Sequence, residues 1–156
     1  MTQTSLLVVG AGPYALATAA HAQACGIDTV VVGHPMGFWR DNMPAQMFLR
    51  SGPDWHLDAA GMHTLEAFLE ARGILPAGVD PLPISLFLDY ADWFRASQAL
   101  EVRAELVASL HRPDRQFEAV LESGERVTAD AVVAAPGIRH FTHLPAWGEL
   151  GPGPPS

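Results

Sequence analysis

Six residues near the amino terminus, Gly10-Ala11-Gly12-Pro13-Tyr14-Ala15, have the types and spacing needed to hold a diphosphate. A glycine at the first position permits a tight turn, and one at the third lets the backbone approach a pyrophosphate. A small residue at the sixth allows a helix to pack closely on a strand. The start of that helix then offers unpaired N–H groups and partial positive charge to an anion. A dinucleotide site usually adds Asp or Glu at the end of the second strand, where a carboxylate accepts hydrogen bonds from the ribose hydroxyls. Here that place holds Gly33-His34, and Asp28 lies before the strand. His34 offers a ribose hydroxyl one ring nitrogen, a single contact. A second candidate for chemistry is Trp55-His56-Leu57-Asp58. On an extended segment His56 and Asp58 face the same side and form a candidate acid–base pair.

Other chemistries find less support. His56 with His63 and His140 with His143 lack a Cys or carboxylate partner at ligand spacing, so no metal site is expected. No GxSxG elbow is present, which leaves a hydrolase triad without its nucleophile. Cys25 is the only cysteine, which excludes an intrachain disulfide and a CxxC motif and makes a reducing cytoplasm the expected setting. It reads as a small apolar filler where the first helix ends.

The elements that must position these residues follow from the pattern of apolar side chains. Leu6 to Val9 is an unbroken apolar run ending at a glycine, the mark of a parallel strand buried on both faces. Pro13 to Cys25 reads as a helix with small alanines toward the sheet, Gly26 as its stop, and Thr29 to Val32 as the next strand. This is a β-α-β unit with a right-handed crossover. Residues 33–58 show no period and read mostly as loop with an aromatic pair at Phe38-Trp39. His63 to Arg72 is a short amphipathic helix, residues 75–83 an extended proline-rich connector, and Ser85 to about Gln98 a second amphipathic helix. Leu100 to Arg103 is a candidate parallel strand. Leu106 to His111, Phe117 to Leu121 and Glu125 to Thr128 read as an antiparallel meander, after which Ala131 to Ala135 rejoins the parallel sheet. The expected fold is therefore α/β, a three-layer Rossmann-like parallel sheet of about four strands with a small antiparallel β-meander inserted before the last parallel strand. Residues 1–150 form one domain and residues 151–156 a Gly/Pro tail.

A chain of 156 residues with 49% apolar content suffices for one domain with a continuous core. A formal charge of −8 provides no basic surface for nucleic acid or an anionic membrane, and all nine cationic residues are arginines. No cationic leader precedes Leu6, and no apolar run approaches the ~20 residues of a membrane span.

Three segments carry a resemblance: GAGPYALA at the start, Phe38-Trp39-Arg40 through Met43-Pro44 to Met47-Phe48-Leu49-Arg50-Ser51, and Val132 to Gly137. They resemble the flavoproteins with two dinucleotide-binding domains, and among these the flavin-containing and N-hydroxylating monooxygenases and related FAD-dependent oxidoreductases. The resemblance covers nearly the whole chain and only the amino-terminal half of such an enzyme. It implies that Gly10, Gly12, Pro13 and Ala15 face the FAD pyrophosphate and that Arg40, Leu49, Arg50 and Ser51 lie along its ADP and flavin side. It implies backbone contacts from Val107 to the adenine, and a second turn near the cofactor made by Ala135, Pro136 and Gly137. The family's second glycine fingerprint for NADPH and its late Gly-Asp closing segment are not found in this chain, so no NADPH site is expected in it. The resemblance thus implies an FAD-binding domain that works with a missing domain or partner chain. The alternative is a reused Rossmann-like domain that has lost redox function and binds or transforms a small molecule without flavin. In either case a homo-oligomer or partner chain is expected to cover the exposed sheet edge.

Overall fold

Residues 1–141 and 143 are described in a computed structural model of the chain. The segment around Leu144-Pro145 and the tail expected over residues 151–156 lie outside the described residues. The first strand, β1 (Thr2–Val9), is longer than its apolar core Leu6 to Val9 suggests, because Thr2 to Thr4 pair with a neighbour along their whole length. Helix α1 (Pro13–Ala24) follows, then β2 (Thr29–Val32), which pairs with β1 in parallel register from Leu6↔Thr29 to Val9↔Val32. Later elements complete the sheet: β5 (Val102–Arg103), β6 (Val107–His111), β7 (Phe117–Leu121) and β8 (Arg126–Ala134). The strand order is β5-β2-β1-β8-β7-β6. Strands β5, β2, β1 and β8 are parallel, as the apolar runs predict, while β7 and β6 continue the sheet antiparallel.

The meander differs from its expected form in one respect. Its third strand and the last parallel strand are one element, β8, which pairs with β7 over Arg126 to Ala129 and with β1 over Val127 to Ala134. Thr128-Ala129-Asp130 carry neither glycine nor proline, so the strand runs on without a break between the two roles.

Alternation along the strands divides the interior in two. Leu7, Val30 and Val132 lie side by side and pack with Ala119, Leu121, Val127 and Ala129, so the β6–β7 hairpin serves as the layer on that face. Arg103 Nη1 on the opposite edge reaches Glu125 Oε1 at 2.7 Å beyond the end of β7 and ties this layer down. Val8 and Val31 face the other way, into the larger core with Ala15 and Ala19 of α1. That core is filled by α3 (Leu65–Ala71) and α4 (Ile84–Ser97), whose Phe68, Phe87, Tyr90 and Phe94 are fully buried. Burying each phenylalanine contributes about 1.5–3 kcal/mol.

Between β2 and α4 the chain has more structure than its composition predicts. Residues 33–58 contain α2 (Gly37–Asn42) and β3 (Phe48–Leu49), and the connector before α4 contains a 3-10 turn (Pro76–Gly78) and β4 (Leu82–Pro83). Strands β3 and β4 pair with each other, a contact no local pattern could signal because the paired residues are 35 and 33 apart in sequence at Phe48↔Pro83 and Leu49↔Leu82. Helix α4 starts at Ile84 rather than Ser85, with Pro83 as its N-cap. Cys25 is exposed at the C-cap of α1 and fills no gap, since the helix turns outward there and Gly26 leaves it at φ +76°.

Candidate functional site

The carboxyl ends of β1, β2 and β8 finish side by side, where open α/β sheets bind their ligands. Gly10 N–H donates to Val32 O, Gly33 N–H to Arg103 O and Ala135 N–H to Val9 O, at 2.8, 2.9 and 2.8 Å. The turns beyond these bonds enclose a cleft of about 490 Å³. Its floor is Gly10 to Ala15, with Gly33-His34 and the start of α2 on one bank and Ala135 to His140 on the other.

Three glycines shape the floor for different reasons. Gly10 has φ +114°, and a methyl group there would lie 2.0 Å from the Ala135 carbonyl oxygen. Gly33 has φ +153°, and its methyl would come within 2.8 Å of the Ala11 nitrogen. Both are demanded by the protein's own backbone. Gly12 is not: it adopts an extended conformation open to any residue, φ −82° and ψ −174°, and a Cβ there would meet nothing within 4 Å. What a side chain at Gly12 would fill is the space over the first turn of α1, facing the cleft.

That first turn is uncapped by any side chain and carries Pro13 at its start. Proline removes one orphan donor and leaves the neighbouring N–H groups aimed outward. Among the described residues lining the cleft none is acidic; its titratable or charged members are Tyr14, His34, Arg139 and His140. An anion entering here would meet backbone N–H groups and no carboxylate among the described lining residues. Met36 adds a left-handed backbone at φ +54°, buried beside the floor with its N–H on Ala11 O at 2.9 Å. Tyr14 is 81% exposed and Ile138 67% exposed, so the cleft mouth carries bare apolar surface.

Of the residues proposed from sequence, Gly10, Gly12, Pro13, Ala15, His34, Val107, Ala135, Pro136 and Gly137 all line this cleft. Arg40, Leu49, Arg50 and Ser51 are not among its lining residues. Arg40 ties α2 to its surroundings, donating through Nη2 to Asp92 Oδ2 at 2.7 Å and through Nε to Pro35 O at 3.2 Å. Leu49 is buried in the β3–β4 pair, while Arg50 and Ser51 are exposed. Sequence reasoning missed Arg139, which follows the Pro136-Gly137 turn and reaches the cleft only because β8 ends beside β1. It also missed the role of Gly33, although a glycine at the end of a β-branched strand was its signal.

His56 and Asp58 do not pair. Asp58 is buried and its carboxylate accepts hydrogen bonds from the N–H groups of Ala60, Met62 and His63 at 3.0, 2.9 and 2.7 Å. The histidine within ion-pair reach of Asp58 is His63, with Nδ1 3.5 Å away. Burial pushes the Asp58 carboxyl up, but the three backbone donors and His63 outweigh it and hold the group below its ordinary value. The Tyr90 hydroxyl accepts from Leu57 N–H at 2.9 Å and donates to His63 O at 2.8 Å, and burial raises its pKa to about 12. This corner is an internal clamp on the 57–63 loop. His56 Nδ1 is buried with no hydrogen-bond partner.

No protein-family model matches the chain, and no curated protein matches it in sequence. Solved structures match it in shape. A bacillithiol disulfide reductase from Staphylococcus aureus superimposes with a TM-score of 0.73 at 18% identity, covering 88% of this chain and 39% of its own. A flavin-containing monooxygenase from Stenotrophomonas maltophilia gives 0.65 at 20% identity, covering 86% and 38%. The enzyme OTEMO, solved in complex with FAD and NADP, gives 0.63 at 20% identity, covering 86% and 26%. The chain has the Rossmann-like fold of these flavoproteins. It spans less than half the length of each of these three.

Proposed function

We propose that this chain is the FAD-binding domain of a flavin-dependent oxidoreductase of monooxygenase-like type, completed by a further domain or partner chain. The observation that carries the reading is Gly12, a glycine whose added methyl would meet none of the described residues, standing in the cleft at a helix start without a side-chain cap among them. Flavin, when bound, supplies the redox chemistry. The chain's own residues bind and orient: Gly12, Tyr14 and Ala15 offer backbone to the pyrophosphate, Val107 backbone to the adenine, and the turn Ala135 to Gly137 borders the far side. His34 holds the ribose through one ring nitrogen. The reading includes a partner chain or second copy along β6, whose outer side is free of strand partners among the described residues.

Titration of the purified protein with FAD tests this. A saturable shift in the visible flavin spectrum is expected, and protein that ignores excess FAD overturns it. A second reading is favoured by one observation, the absence of any carboxylate among the cleft's described lining residues. It is a reused Rossmann-like cleft that takes a small anionic molecule without flavin. A non-flavin ligand recovered from the cleft, with FAD failing to displace it, separates the second from the first.

A further inference from the structure

We infer that Arg139 is a phosphate-binding residue of this cleft, held ready at its mouth by Asp41 and transferred to the ligand's diphosphate on binding. The inference rests on the nucleotide reading above and assigns a side chain to the anion. Arg139 lines the bank formed by the turn after β8, and it is the only arginine among the described lining residues. Its Nη1 lies 2.8 Å from Asp41 Oδ2, on α2, whose first residues Gly37, Phe38 and Trp39 line the opposite bank. The ion pair therefore links the two banks, joining residues that are 98 apart in sequence.

Both side chains are about half exposed, 47% and 54%. A pair of that kind contributes at most about 1 kcal/mol, so exchanging Asp41 for another anion costs little. A diphosphate offers what Asp41 does not, several acceptor oxygens for the guanidinium fork, already partly neutralised by the start of α1. Tyr14 apart, the floor of the cleft supplies backbone N–H groups, and none of the described lining residues is acidic. Asp41 is then a competitor for Arg139 whose removal favours the ligand.

The two partners therefore predict opposite effects, which a merely structural bridge does not. Calorimetric titration with ADP, repeated with FAD, is expected to show Arg139→Ala binding about tenfold more weakly, the effect of losing a charge-assisted hydrogen bond. Asp41→Asn is expected to bind two- to threefold more tightly, on the order of the lost ion pair. Unchanged binding in Arg139→Ala, or weakening of similar size in both variants, overturns the inference while leaving the cleft's reading intact. Wild-type protein that binds neither ADP nor FAD overturns both. Asp41→Asn keeps Arg139 in place, so the inference stays testable even if Arg139→Ala fails to fold.

Discussion

Two turns in this molecule solve the same problem in opposite ways. At Asp58 a buried carboxylate takes up three backbone N–H groups, and Thr64 caps the helix that follows by accepting from Ala67 N–H. At Gly12 no side chain of the described residues caps α1, and an added Cβ would meet none of them within 4 Å. A loop that satisfies its own donors is scaffold, whereas a turn that leaves donors facing a cleft is waiting for something else to satisfy them. The contrast separates site from support more sharply than residue type does. By type alone, His56 and Asp58 read as a candidate acid–base pair, although Asp58 belongs to the self-satisfied loop.

Substitutions can break or sharpen this contrast. The largest effect is expected at Gly10, where alanine collides with the Ala135 carbonyl. Gly10→Ala should lose about 3–5 kcal/mol or leave the soluble fraction altogether, measured by denaturant unfolding. Next comes the self-satisfied loop. Asp58→Ala takes the carboxylate acceptor from three part-buried backbone donors and should lose about 1–3 kcal/mol. The pH dependence has a definite sign: the folded-state pKa lies below the unfolded value, so Asp58 stabilises fully above the ordinary carboxylate range. That contribution is lost as pH falls below about 4 toward the folded pKa, and Asp58→Asn should flatten this acid limb of the stability curve.

The open turn should behave in reverse. Gly12→Ala places its methyl within 4 Å of no described residue and should change stability by within about 0.5 kcal/mol, yet lower FAD affinity by about tenfold by occupying the space over α1. A large loss of stability instead would show Gly12 to be scaffold. The smallest effect tests the ribose end. His34→Glu installs the carboxylate expected there and should tighten FAD binding by about fivefold in the same titration, roughly 1 kcal/mol for one further hydrogen bond. An unchanged affinity would place the ribose elsewhere.

Much of this was legible in the chain because it is local. The glycine turn, the two strands flanking it and the alanine face of α1 follow from a period and a motif within some thirty residues. That β5, β2, β1 and β8 are parallel follows from the apolar runs, whereas their order in the sheet comes from the tertiary structure. Less local features were not legible. The merging of the meander's last strand into β8 depends on β1 pairing with its full length, and β3 exists only because β4 returns to it. Arg139 enters the cleft because β8 happens to end beside β1, and Asp58 finds His63 rather than His56 because Tyr90 of α4 clamps the loop between them.

The sequence by itself determined the glycine turn after β1, since the positive φ at Gly10 favours glycine whatever surrounds it. It determined, too, that β1 is buried on both faces, through the unbroken apolar run Leu6 to Val9. Tertiary structure alone decided which polar groups are free to meet a ligand. That is a matter of what lies within hydrogen-bond reach, and reach across 98 residues, as between Arg139 and Asp41, is set by the packing of the sheet rather than by any spacing in the chain.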